Sequence, residues 1–387
     1  MALSLPSLQQ IATVKLATIV FNDASVNAVE KLLEIPLCLL PIELLEKIMD
    51  NLLPEYVQVS SLAEKVRKLA RPISLEIEEW KEYHSRLLDT SVDFQNYFVW
   101  KTLGTIDSEA TALSLIQSDR LEVGCRFALA CFYCFEDFIP RLWKERSPFR
   151  KTRIVCRSEI VRVWVNWLEN GCKGSIRESE SFVYWAIRDD NPFATRYLLE
   201  GLTPEKRKSF LASITYKTDV SIAVLHVCFS QMDDCQRTEL FQKCPFKLLK
   251  CFLNWPMQSQ FLEKAKSAFQ YLDVREFIEL LFFIFLQRIL ADWKDFDYPD
   301  LLTKFWKLSP PALKITVLNG PYGPLFQHIV EHDWTKAYPT NILPVDLRNF
   351  NSSNFLLYSR QSYVMTRKRY LDSLAGKSLT PSKLLNF

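Results

Sequence analysis

The chain has 387 residues, 48% of them apolar and 24% charged, with a mean hydropathy of −0.04 and a formal net charge of +3. This composition excludes a wholly disordered chain, and the length calls for two or three packed units or one extended array. Only eight glycines occur, about 2% against a usual ~7%, so glycine-cradled phosphate sites are not expected and few backbone positions should take positive φ.

The first ten residues, Met1 to Gln10, lack a basic n-region and an unbroken apolar core, so the expectation is an intracellular chain. Leu8, Ile11, Ala12, Leu16, Ile19 and Val20 recur at spacings of three and four, which predicts a helix over 6–21 with one apolar stripe. Ser25 can cap a second helix carrying Val26, Val29, Leu32 and Leu33, stopped by Pro36. Pro41 opens a third over 41–53, with Leu44, Leu45, Ile48 and Leu52 on one side and Pro54 at its end. Two more amphipathic stretches, 60–70 and 74–88, follow, the second with Glu76, Glu78, Glu79, Lys81 and Glu82 around Leu75, Ile77 and Trp80. Residues 1–100 hold nine Lys/Arg and fourteen Asp/Glu, a net charge of −5.

From residue 100 the pattern is helix after helix: 108–117 capped by Asp107, a long apolar segment 123–140, then 160–168, 181–187, 193–200, 220–230, 235–243, 246–255, 258–271, 274–291, 298–308 and 311–318. No competing run alternates with period two for long. The longest strongly apolar run, Leu280 to Leu286, is far short of the ~20 residues a bilayer span requires, so no membrane segment is expected. Ala130, Phe138 and Leu142 stand 56 residues before Ala186, Ala194 and Leu198, a trace of internal similarity. Two architectures suit short helices on short connections: a degenerate helical-repeat array and an irregular all-helical globule. The organisation expected is an acidic helical module over 1–100, a helical-repeat body over 101–335 and a basic irregular tail over 336–387.

The candidate chemistry is sparse. His328-Ile329-Val330-Glu331-His332 has the H-x-x-E-H form, in which two histidines four apart on a helix hold zinc and the glutamate acts as base. No glutamate follows Glu331 to complete the ligand set, so the alternative is an amphipathic helix with its polar residues outward, and no metal or other cofactor is expected. Ten cysteines are scattered without a paired framework and read as free thiols. Cys131 and Cys134, a C-x-x-C pair set in an apolar run, read as core packing rather than as a metal or redox site. Arg141, Lys144, Arg146, Arg150, Lys151, Arg153 and Arg157 form a basic stretch with Trp143 and Phe149. A nucleic-acid face would combine such residues, but the pI of about 8.2 favours a solvated connection. Either the stretch or the tail could meet an acidic partner.

Leu40-Pro41-Ile42-Glu43-Leu44-Leu45, continued by Ile48 and Leu52 and followed by Ser60 to Ala70, resembles an F-box, a three-helix module. That resemblance, over 38–70, implies that Leu40, Pro41, Leu44, Leu45, Ile48 and Leu52 dock the adaptor subunit of a ubiquitin ligase. Val66 stands near a position where that family usually has tryptophan. More broadly, Leu5 to Ala12, Arg126 to Cys134 and Ile139 to Trp143 look like a group of uncharacterised arthropod helical proteins with ankyrin-like arrays, which implies a fold and no activity. Together these features lead to the expectation of an all-α, ankyrin-like helical-repeat protein that is not an enzyme. It would be a binding scaffold for proteins, with a ubiquitin-ligase substrate receptor as its more specific form and a zinc hydrolase as the alternative.

Overall fold

A computed structural model describes residues 6–33, 36–53, 61–85, 87–88, 94–145, 158–214 and 220–343. Among them the regular structure is helical: nineteen α-helices, short 3-10 turns and one π segment, with a lone bridge between Trp100 and Ile106. The predominance of the 3.6-residue period in the sequence is thus matched by an all-α fold.

The first helices are α1 (Leu8–Phe21), α2 (Ala24–Leu33), α3 (Ile42–Leu52) and α4 (Ser61–His84). In α1 the buried side is Thr13, Val14, Ala17, Thr18, Val20 and Phe21, while Leu8 and Ile19 are exposed. The buried face is therefore rotated from the predicted stripe, because this helix is apolar on nearly every side and Ala17 and Thr18 offer the small contact surface. The two helices expected over 60–88 are one, with Pro72 inside it. Proline removes one backbone bond and crowds the preceding turn, but Arg71, Pro72, Ile73 and Ser74 are all buried there, and packing holds the helix through the defect.

Ten helices follow: α5 (Ser108–Gln117), α6 (Val123–Phe132), α7 (Ile139–Glu145), α8 (Glu159–Glu169), α9 (Glu180–Arg188), α10 (Pro192–Gly201), α11 (Pro204–Ile214), α12 (Ile222–Gln231), α13 (Asp234–Lys243) and α14 (Pro245–Cys251). The predicted 123–140 helix is broken in two. Cys134 takes φ 57°, and Phe135 N–H bonds the Ala130 carbonyl at 2.9 Å while Cys134 N–H bonds that of Cys131 at 3.1 Å, a left-handed helix end made without glycine. The same end recurs 56 residues on, at Asp190: it has φ 53°, Asn191 N–H bonds the Ala186 carbonyl at 2.8 Å, and Asp190 N–H bonds that of Ile187 at 3.1 Å. Positive φ is confined to a few positions among the described residues, and four of them, Cys134, Cys172, Asp190 and Asp292, are not glycine. Asn and Asp visit this region with local hydrogen bonds; the two cysteines do so at helix ends.

The final helices are α15 (Phe261–Ala268), α16 (Val274–Ile284), α17 (Tyr298–Leu308), α18 (Pro311–Leu318) and α19 (Gly323–Glu331), with the π segment Phe285–Ile289 continuing α16. The chain divides into two compact units, one of 1–11 and 76–257, the other of 12–75 and 258–387. Each unit draws on two separate stretches of the sequence.

In the first unit, α5 packs on α6, α6 on α7 and α8, α8 on α9, α9 on α10, α10 on α12 and α12 on α14. The turn between α9 and α10 ties three of its neighbours together. Asp189 accepts from the Ser158 hydroxyl at 2.6 Å and from Glu159 N–H at 3.1 Å, serving the start of α8. The Tyr83 hydroxyl donates to the Asp190 carbonyl at 2.5 Å. Fully buried Asn191 caps α10 through Ala194 N–H at 2.9 Å and donates its amide to the Phe132 carbonyl at the end of α6, also at 2.9 Å. Replacing Asn191→Ala removes a cap and orphans a buried carbonyl, with an expected loss of about 2–3 kcal/mol. Asn191→Asp keeps the cap alone and should lose less, and hydrogen exchange against urea on peptides from α6 and α10 measures the order.

In the second unit, Phe261, Phe277, Phe282, Phe285, Phe305 and Phe326 fill the centre of α15–α19. Arg71 of α4 is only 5% exposed and joins the sequence-distant parts of this unit. Its guanidinium donates to the Leu40 carbonyl at 2.9 Å and to those of Ala291 and Asp292 at 2.6 and 3.2 Å, and lies 5.8 Å from the Trp293 ring centre. Cys38 N–H also donates to the Ser74 hydroxyl at 2.9 Å, so the turn before α3 is held to α4 twice.

Candidate functional site

The six F-box-like residues do not share a surface. Leu40, Leu45 and Ile48 lie in the core, Leu44 and Leu52 are half-buried, and Pro41 is exposed. Leu40 also supplies the carbonyl that Arg71 binds. The outward side of α3 carries Glu43, Glu46, Lys47 and Asp50, with Asp50 paired to Arg67 at 2.5 Å. A ligand on α3 would therefore meet Pro41 and the edges of Leu44 and Leu52.

His328 lies in the last turn of α19, whereas His332 is the residue after the helix, with extended backbone at φ −64° and ψ 137°. The two imidazoles stack with ring centres 5.9 Å apart and planes 24° from parallel. An ion shared by both would have to lie in both ring planes, which stacked rings do not offer. His328 Nδ1 stands 3.2 Å from the Tyr338 hydroxyl, and His332 Nε2 is 3.2 Å from the Lys336 carbonyl. Trp334 and Tyr338 close the group as an aromatic cluster against Phe285. Glu331 is exposed, beside Gln327 at 3.2 Å. Among the described residues no three His, Cys, Asp or Glu side chains converge as a metal site.

Cys131 and Cys134 are buried, and burial pushes the Cys134 thiol up to about 12, opposite to what a reactive thiolate needs. Burial does the same to Cys228 and Cys251, each raised to about 12. Of the basic stretch, Arg141 and Lys144 belong to the described residues; Arg146, Arg150, Lys151, Arg153 and Arg157 lie outside them, as does the basic tail beyond residue 343.

Two buried polar groups are built into the helices. His84 at the end of α4 has Nδ1 2.7 Å from the Trp80 carbonyl and Nε2 2.6 Å from the Tyr133 hydroxyl. A carbonyl only accepts, so Nδ1 bears the proton and the phenol donates to Nε2. Burial lowers this imidazole to about 4. In the second unit, one Asp295 carboxylate oxygen accepts from Gln258 Nε2 at 2.8 Å and from the Tyr298 hydroxyl at 3.1 Å, and burial pushes the carboxyl above the usual carboxylate range. Nearby, the Arg288 guanidinium lies 4.4 Å from the Trp293 ring centre and 4.8 Å from that of Phe283. Both groups brace helix ends and are covered by aromatic rings.

What remains open to a ligand is a set of outward faces. On α9, Ser181, Tyr184, Trp185 and Arg188 are exposed at spacings of three and four and so share one side. Trp185 is 42% and Tyr184 39% exposed. Trp185 is held by Phe182, with ring centres 5.4 Å apart, and Tyr184 by Phe210 of α11 at 4.6 Å, so both rings are positioned while presenting an open side. Arg188 makes no ion pair among the described residues. In the sequence this segment is simply a helix with more aromatics than one buried face needs; the surplus rings are the signal that could have marked it. Comparison of the chain with family models, with curated proteins and with solved structures finds nothing that matches it.

Proposed function

We propose that this protein is a non-catalytic scaffold that binds other proteins, with ankyrin-like helix pairs in its first unit and a docking face on α9. The observation that carries the reading is the Tyr184, Trp185 and Arg188 face: Trp, Tyr and Arg are the residue types that dominate interface energetics, and here they stand together, positioned and exposed. The turn repeated at Cys134 and Asp190, each between two packed helices, supports stacked helix pairs as the frame.

Affinity purification of the full chain beside a Trp185→Ala variant, with quantitative identification of bound proteins, tests the proposal. A partner held through this face should fall at least about tenfold in recovery, the effect of losing a hot-spot side chain worth ~2 kcal/mol. Hydrogen exchange of α8 to α11 should stay within about 1 kcal/mol of the parent, because the ring is only partly covered. Equal recovery from both chains would remove α9 as the docking face, and the absence of any saturable partner would remove the scaffold reading.

A further inference from the structure

The second unit carries a different unpartnered surface. Helix α18 reads Pro-Ala-Leu-Lys-Ile-Thr-Val-Leu and is apolar nearly all round, the composition of a helix covered on every side. Yet Val317 alone is fully buried, while Ile315 is 59% and Leu318 40% exposed, one turn apart on the same side. Leu308, at the end of α17, is also 40% exposed. Lys314 Nζ bonds the Lys307 carbonyl at 3.0 Å, which ties α18 to the end of α17 that carries Leu308.

Two lysines, Lys307 and Lys314, neighbour these aliphatic residues in the chain. From residue 301 to residue 330 the chain contains no Asp or Glu, and its cations are Lys304, Lys307 and Lys314. Lys304 is paired with Asp300 at 2.6 Å, but Lys307 is exposed and has no carboxylate partner among the described residues. Lys314 lies over the Trp306 ring at 6.0 Å. Carboxylates on α16, which packs on α18, are committed elsewhere: Glu276 to its capping box with Asp273, Glu279 to Arg275 at 3.0 Å. The chain's own residues 344–387 carry seven Lys/Arg and two Asp/Glu, the wrong charge for this face.

We infer that the α17–α18 face docks an acidic amphipathic helix of a partner protein, whose apolar stripe covers Leu308, Ile315 and Leu318 while its flanking carboxylates meet Lys307 and Lys314. Helix-in-groove recognition uses apolar anchors at i, i+3, i+4 and i+7, and complementary charge at the rim selects the partner. This inference is independent of the α9 face, which lies in the other unit.

Selection from a display library of helical 16-residue peptides on the full chain tests it. The enriched peptides should place Asp or Glu beside an apolar stripe. Their affinity should fall at least about tenfold on Ile315→Glu/Leu318→Glu, the loss expected when a central apolar anchor is removed. Lys307→Glu should shift the selection toward Lys- and Arg-flanked peptides. Circular dichroism checks that the variants fold, and Ile315→Gln replaces the double change if it does not. No enrichment, enrichment without acidic flanks, or binding unaffected by these changes would overturn the inference. So would a parent chain that self-associates and becomes monomeric on Ile315→Glu/Leu318→Glu, since the face would then belong to a second copy.

Discussion

Replacing Arg71→Ala should cost the second unit about 3 kcal/mol, because it leaves the buried Leu40 carbonyl and the partly buried Ala291 and Asp292 carbonyls without their donor, at ~1 kcal/mol each. The residue is placed where no substitute reaches as far. One side of its guanidinium meets Leu40, just before α3, and the other meets Ala291 and Asp292, at the end of the π segment. Arg71→Lys has a single ammonium in place of the planar fork and can serve one side only, so roughly half the loss is expected. Arg71→Met retains most of the packing against Trp293 and separates that contribution from the hydrogen bonds. The measurement is hydrogen exchange against urea, read on peptides from α3, α15 and α17, with peptides from α8 to α10 as the internal reference. In a chain of two units a single unfolding midpoint is not a defined quantity. A loss under about 1 kcal/mol for Arg71→Ala would show that these carbonyls find other donors and that the clasp contributes little.

The helical class of this chain is readable because helix after helix keeps the 3.6-residue period, and 298–308 and 311–318 coincide with α17 and α18 residue for residue. Breaks were harder to read than helices. Pro72 looks like a boundary but sits inside a helix whose surroundings hold it, whereas the real break after α6 falls at Cys134, a residue with no turn signal of its own. The 204–214 helix escapes notice because Pro204, Glu205, Lys206, Arg207 and Lys208 open it with charge, and its apolar side, Phe210, Leu211 and Ile214, is confined to the last turn and a half. In each case tertiary packing decides what local preference leaves open.

The candidate residues show the same limit more sharply. Leucines at helical spacing in 40–52 are equally compatible with an adaptor surface and with a core, and sequence alone does not say which way α3 is turned. The structure spends Leu40, Leu45 and Ile48 inward. Conversely, Trp185 and Ile315 belong to residue types that are usually buried, so nothing in their identity marks them as outward. Exposure is a property of the assembled unit. Composition offers only an indirect trace: α9 and α18 each carry more apolar surface than one contact with a neighbour consumes.

The stability of the first unit should fall as the pH drops from about 6.5 toward 4, by about 3 kcal/mol in total, through His84. The sign follows from which state binds the proton. In the unfolded chain the imidazole takes up a proton near its ordinary value of 6.5, while in the folded chain burial lowers it to about 4. The unfolded state therefore binds more protons throughout this interval, and each pH unit removes ~1.4 kcal/mol from folding. Above 6.5 the contribution is fully present; below about 4 both states are protonated and the loss is complete. The geometry agrees, since protonated Nε2 would face a phenol that now donates to it. His84→Gln can keep a donor toward the Trp80 carbonyl and an acceptor toward Tyr133 without titrating. Hydrogen exchange against urea, read on peptides from α6 and α8 to α10 at pH 7, 6, 5 and 4.5, should diverge between parent and variant as the pH falls, and the difference removes the carboxylates common to both. Parallel curves would mean that His84 takes its proton without opening the packing around it.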